Sequence, residues 1–128
     1  MKKLNSQQLE FLNETVNHYN KNNRSATLIN ETFGENKCSY FPQNNKSLGC
    51  AIGRHVSDKD LCKEWDKLPN DKSSVYAIFE QLPEYLRLLD CNFLLAIQRL
   101  HDNPNNWDEN GLSETGRYNA KEIEQGNF

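Results

Sequence analysis

The chain has 128 residues, of which 36% are hydrophobic, and a formal net charge of −3 with both signs mixed along its length. That length predicts one domain, and a mean hydropathy of −0.90 leaves either a small core or burial shared with a second copy, so a homo-oligomer is expected. The charge excludes non-specific binding of duplex DNA, which needs a dense basic face, but not a small anion held by a few arginines.

Residues 6–21 predict the first helix, capped by Ser6, with Leu9, Leu12, Val16 and Tyr19 in one narrow stripe. His18 and Lys21 near its end suit the helix dipole and solubility, with a ligand role as the alternative. Residues 26–29 predict a short strand. Residues 38–41 and 48–52 predict a hairpin across a turn at 42–47, with Gly34, Glu35 and Asn36 in the turn before Cys38. In residues 49–55 the small side chains of Gly49, Ala51 and Gly53 let backbones approach closely, and Arg54 follows directly. Such a segment sets an arginine beside an anion or on a structural carboxylate. It is not a nucleotide-binding glycine loop, because neither Gly-x-Gly-x-x-Gly nor a Walker pattern is present.

Residues 57–68 predict a surface helix capped by Ser57, with Leu61, Trp65 and Leu68 as its stripe and Pro69 just beyond. Residues 70–74 read as a loop. Val75, Ile78, Phe79 and Leu82 mark a short helix capped by Ser73 or Ser74, and Pro83 opens a further turn or helix with Tyr85, Leu86 and Leu89. Residues 90–107 contain the most apolar segment. Phe93, Ile97 and Leu100 fall at i, i+4 and i+7, Asp90 is the N-cap, and Pro104 stops the helix. Arg99 and His101 occupy the last turn, where positive charge suits the dipole. His101, Asp102 and Asn103 gather before the break, and Trp107 follows in a polar loop. A core helix that brings polar groups and a large aromatic to one rim builds a ligand pocket. After Gly111 and Leu112 turn the chain, Ser113 caps a last amphipathic helix towards Glu124, carrying Arg117, Tyr118, Lys121 and Ile123. Its low apolar content means that it docks on the body or on another subunit, or frays. The expected fold is a single α+β domain, mostly helical, with a small antiparallel sheet or hairpin.

Met1-Lys2-Lys3 has the charge of a signal peptide's first region, but polar residues follow it instead of an apolar stretch. The longest apolar run, residues 93–97, is too short to span a bilayer. A cytoplasmic protein without a membrane segment is expected. Cys38, Cys50, Cys62 and Cys91 form no Cys-x-x-Cys pair. The alternatives are a structural zinc with His55 or His101 and small buried thiols in a reducing cytosol; the second is expected, with no metal and no cofactor.

Cys38-x-Tyr40, then Gly49-Cys50-Ala51-Ile52-Gly53-Arg54, is followed by Phe93-Leu94-x-x-Ile97-Gln98-x-Leu100-His101-Asp102, Trp107, and Gly111-Leu112-Ser113-x-x-Gly116-Arg117. This pattern, spread over residues 38–117, resembles the Thoeris anti-defence protein one family. The resemblance implies a phage-encoded sponge acting in the infected bacterial cytoplasm. Such proteins hold a cyclic ADP-ribose signal, glycocyclic ADP-ribose among them, without cleaving it, so that an NAD-degrading host effector is never switched on. It also implies a homo-oligomer built from dimers, and a second site for cyclic trinucleotides in some members. The residue types suit that ligand. Phe93, Trp107, Tyr40, Arg54 and Arg117 offer faces for an adenine. Arg54 and Arg117 offer cations for a pyrophosphate. Asn103 or Asp102 at the helix end offers a partner for ribose hydroxyls, with His101 beside them in the expected site. By the resemblance, Phe93, Asn103 and the two arginines carry the site.

Two rivals stand beside this reading. A nucleotide-cleaving enzyme would need a nucleophile and a base. Cys91 lies ten residues before His101, about 15 Å along a helix, so these two do not meet, and no catalysis is expected. A protein that covers and inhibits a host enzyme fits the acidic balance and the polar helices.

Overall fold

The computed structural model describes residues 3–23, 27–30, 35–38, 40–41 and 50–128. Helix α1 spans Ser6–His18. Its cap is Asn5, one residue before the expected Ser6. Asn5 Oδ1 accepts the Gln8 N–H at 2.8 Å, and Gln8 Oε1 accepts the Asn5 N–H at 3.0 Å, a reciprocal pair that satisfies two amides at once. The helix also stops three residues earlier than its stripe suggests. Asn23 Nδ2 donates to the His18 carbonyl, and Asn20 Oδ1 accepts the Asn22 and Asn23 amides. Asparagine side chains here outcompete the next helical turn, and Tyr19 turns extended as the C-cap.

Strands β1, Thr27–Asn30, and β2, Glu35–Cys38, form an antiparallel hairpin in which Thr27 faces Cys38 and Asn30 faces Glu35. The expected pairing of 38–41 with 48–52 is thereby corrected. Glu35 and Asn36, read as turn, lie in β2, while residues 42–49 lie outside the described residues. Ile52 is not in a strand: at φ −92° and ψ −48° it leads into a 3-10 turn at Gly53–His55. The Arg54, His55 and Val56 amides bond back to Cys50, Ile52 and Gly53, at 3.0 Å each. Close approach is what Gly53 allows, because a Cβ there would lie 2.2 Å from the Tyr40 carbonyl oxygen.

Helix α2, Lys59–Asp66, is capped by Asp58, whose Oδ1 accepts the Leu61 N–H at 3.2 Å, rather than by Ser57. The expected loop after it is the short helix α3, Asn70–Ser73, started by Pro69, whose carbonyl accepts the Lys72 N–H at 2.9 Å. Helix α4, Val75–Ile78, is capped by Ser74; a 3-10 turn at Phe79–Gln81 and helix α5, Glu84–Arg87, follow. Helix α6, Cys91–Asp102, runs through the core as the stripe predicts, with Phe93, Leu94, Ile97 and Leu100 buried. They pack in one cluster with Leu12, Ile52, Cys62, Trp65, Ile78 and Leu86. A two-residue ladder, β3 at Trp107–Asp108 and β4 at Gly111–Leu112, then leads to α7, Glu114–Glu124. Ser113 caps α7 by accepting the Gly116 N–H at 3.1 Å, and Ala120 and Ile123 are buried, so α7 docks on the body. The fold is α+β, mostly helical, as expected. No helix among the described residues is long and apolar enough to cross a membrane.

Asp90 combines a cap with strain. Its Oδ2 accepts the Phe93 N–H at 3.1 Å, while its backbone sits at φ 83° and ψ 135°, a region that suits glycine. Asp90→Ala loses the cap and keeps the strain, at a cost of about 1 kcal/mol. Asp90→Gly releases the strain, so the expected order of stability in thermal denaturation places Gly above Ala. The reverse order would show that the cap alone matters.

Candidate functional site

Tyr19, read from sequence only as the end of a helix stripe, is the point where several expected site residues meet. Its buried ring stands edge-on to His101, at 4.8 Å between centroids, and to Trp107, at 6.0 Å. The Arg54 guanidinium carbon lies 5.5 Å from the ring centroid, and Arg54 Nε donates to the Tyr19 hydroxyl oxygen at 3.2 Å. The remaining fork of Arg54 grips the Glu14 carboxylate; Nη1 meets Oε1 at 2.7 Å, and Nη2 meets Oε2. Arg54 is thus placed on a structural carboxylate, the second of the two alternatives its segment offered.

Burial and that ion pair together set the local titration. The hydrogen bond from Arg54 holds the Glu14 carboxyl below its ordinary range, against the opposing effect of burial. Burial, and then the Arg54 charge, lower His55 to about 4, and the same two causes lower His18. Both imidazoles are neutral in the fold at pH 7, whereas an unfolded imidazole protonates near 6.5. Between those values the unfolded chain binds more protons, so stability falls as pH drops from about 6.5 to about 4. Glu14 acts in the same direction, since its contribution is present above its unfolded pKa and is lost as pH falls through its folded one. The expected result is a denaturation midpoint that declines over this window and declines less in His55→Gln. An unchanged slope in that variant would remove His55 from the account.

His101 is fully buried, with Nδ1 2.8 Å from Asp102 Oδ1, and Asp102 also accepts from Gln98 Nε2 at 3.1 Å. Trp107 is buried, and its Nε1 donates to the Leu100 and His101 carbonyls at 3.1 Å each, satisfying orphan acceptors at the end of α6. Tyr40 is buried elsewhere. Its ring lies 5.2 Å from Trp65, its hydroxyl donates to the Ser73 carbonyl at 2.6 Å, and its amide donates to Asp66. Phe93 is 0% exposed and stands edge-on to Phe11 and Phe128, at 6.1 Å each. None of the three expected stacking rings, Phe93, Trp107 and Tyr40, therefore presents a face to solvent in the single chain. Only for Phe93 did the spacing also carry this outcome, as i, i+4, i+7 is the period of a buried helix face; Trp107 and Tyr40 are large aromatics whose polar ends find buried backbone partners. Arg117 is exposed and donates to the Leu112 carbonyl at 3.1 Å.

Of the eight, Asn103 lines an open groove. It caps the end of α6 and accepts the Asn105 N–H at 3.0 Å. The groove, of about 260 Å³, runs between α6 and α7, with Ala96, Arg99, Leu100 and Asn103 on one wall and Asn119, Glu122 and Ile123 on the other. Asn106 closes its floor. It donates to the Leu100 carbonyl and accepts from Asn119 Nδ2 at 2.9 Å. Asn127 and Phe128 close one end, and Asn127 Oδ1 is buried with no donor. Ala96, Leu100 and Asn103 follow at i, i+4 and i+7 and form the α6 wall, while Phe93, a turn further back, is buried in the core.

No family model, curated protein or solved structure matches the chain.

The chemistry therefore rests on the residues themselves. The groove offers amides, one cation and one carboxylate among the apolar side chains of Ala96, Leu100, Ile123 and Phe128, the mixture that holds a polar ligand by a few placed groups. Sequence reasoning missed Asn119, Glu122 and Asn127 and gave Arg99 only a dipole role. The available signals were Arg99 and Asn103 at i, i+4 and Asn119 and Glu122 at i, i+3. Among the described residues, no group of three or more His, Cys, Asp or Glu is placed to hold a metal ion. Cys50 and Cys62 are buried, and burial pushes both thiols up, Cys62 to about 11.

Proposed function

We propose that this chain binds a cyclic ADP-ribose-type nucleotide and holds it without cleavage, working in the bacterial cytoplasm as a phage-encoded sponge that keeps an immune effector silent. The observation that carries this reading is the α6 face. Its Arg99 and Asn103 line the amide-rich groove that Asn119 and Glu122 of α7 close from the other side. Asn103 and Asn119 serve ribose hydroxyls, and Arg99 serves the pyrophosphate. Arg54 holds the framework through Glu14 and Tyr19 instead of touching ligand. Retention over turnover is supported by thiols raised by burial, which are poor nucleophiles, and by the burial of His101. Assembly of copies through exposed Tyr76 and Leu88 belongs to the same proposal.

Titration calorimetry with cyclic ADP-ribose isomers tests it. Asn103→Ala and Arg99→Ala each lower affinity about tenfold, equivalent to about 1.4 kcal/mol; the denaturation midpoint is little changed in Arg99→Ala, whose side chain is exposed, and falls in Asn103→Ala by the loss of the Asn105 cap, about 1 kcal/mol. Unchanged affinity in both variants would move the ligand elsewhere. A protein that covers a host enzyme is the second reading, favoured by Tyr76 at 71% and Leu88 at 72% exposure. A pull-down that retains a host protein and no nucleotide would select it.

A further inference from the structure

Phe128 is unusual in touching three features at once. Its ring stands 6.1 Å from Phe93 at 63°, it lines the α6–α7 groove, and it also lines a second cavity of about 420 Å³ bounded by Leu4, Gln8, Leu88, Asp90 and Asn92. It is 51% exposed, while the Phe93 ring beneath it is 0% exposed. A half-exposed ring gains much less from burial than a core ring does, so it is the cheaper of the two to move. The residue before it is fixed. The Asn127 N–H donates to the Glu122 carbonyl and its Nδ2 to Glu122 Oε2, both at 2.8 Å, and Gly126 turns at φ 83° to close the end of α7. The hydrogen bonds that close α7 are made by residues 125–127, so the Phe128 side chain can swing without breaking them. The anchor also holds Asn127 Oδ1, a buried acceptor without a donor, which is costly in a settled structure.

We infer that Phe128 is a latch: it covers Phe93 and divides one long cleft into two, and a purine nucleotide enters by taking its place. This rests on reading the α6–α7 groove as a nucleotide site. In the open form the base replaces the phenyl ring against Phe93, and the two cavities join. A ribose hydroxyl or amino group then gives Asn127 Oδ1 the donor it lacks. The closed form keeps Phe93 out of water when no ligand is present.

The test is titration of wild type, Phe128→Ala and Phe128→Leu with ADP-ribose and with cyclic ADP-ribose isomers, each variant first checked for a cooperative melt. The latch predicts that Phe128→Ala binds about tenfold more tightly than wild type, with Phe128→Leu between them. Should Phe128→Ala fail to fold, Phe128→Leu against wild type decides the order. Binding by the variant alone supports a closed latch. Equal or weaker binding in the variants overturns the latch while leaving the groove reading in place. No binding by any of the three proteins overturns both.

Discussion

Phe93→Ala lowers stability by about 3–5 kcal/mol, as expected for removing a large aromatic from a packed interior. The ring is fully buried, lies between Phe11 and Phe128 and belongs to the central cluster on α6. Such a loss is comparable with the lower end of a domain's whole stability, so the variant melts far below wild type or does not fold at all. Phe93→Leu keeps most of the volume and costs much less. This matters for function, because loss of ligand binding in Phe93→Ala is not by itself a sign of contact. Binding is to be compared in Phe93→Leu, at a temperature where both proteins are folded. A Phe93→Ala protein with unchanged stability would contradict the core assignment.

The second large effect reverses a general rule. Replacing glycine by alanine inside a helix ordinarily stabilises it by about 1 kcal/mol. Gly116→Ala destabilises here by about 3 kcal/mol, at the upper end of what overpacking costs. A Cβ at this position would lie 2.0 Å from the Asn106 carbonyl oxygen and 2.8 Å from its carbon. Asn106 has little freedom to retreat: its carbonyl accepts the Ser113 N–H at 2.8 Å, and its side chain bridges the Leu100 carbonyl and Asn119. Chemical denaturation of the variant checks this, and a gain in stability would show that α7 does not press on residues 104–106. Because Asn106 also floors the groove, the same substitution disturbs the site.

What the sequence made legible is mostly local. Asp90 as cap, the Phe93–Ile97–Leu100 face, the stop at Pro104 and the Ser113 cap all follow from neighbours within one or two helical turns, and all stand in the fold. The Asn5 cap was also readable, since Gln8 follows it three residues on, but Ser6 beside it is an equally good residue type. The hairpin was misplaced because pairing is non-local: nothing within residues 35–38 says whether the partner lies before or after. Distance along the chain also hid the hub at Tyr19, where Arg54, His101 and Trp107 arrive from three separate segments. The groove needed the packing of α7 on α6 before Asn119 and Glu122 could be set opposite Arg99 and Asn103. Composition favoured stacking and core roles equally for Phe93, Trp107 and Tyr40, and only burial separates the two.

The measurement that bears most directly on the central claim is a thermal-shift scan of the wild-type protein against cyclic ADP-ribose isomers, ADP-ribose, NAD and cyclic trinucleotides, followed by recovery of the ligand after heating. Ligand at a hundred times its dissociation constant adds about 2.7 kcal/mol of stability. Sequestration predicts a clear upward shift with at least one cyclic ADP-ribose isomer and chemically intact ligand in the supernatant. No shift with any cyclic ADP-ribose, or recovery of a cleaved product, would contradict it.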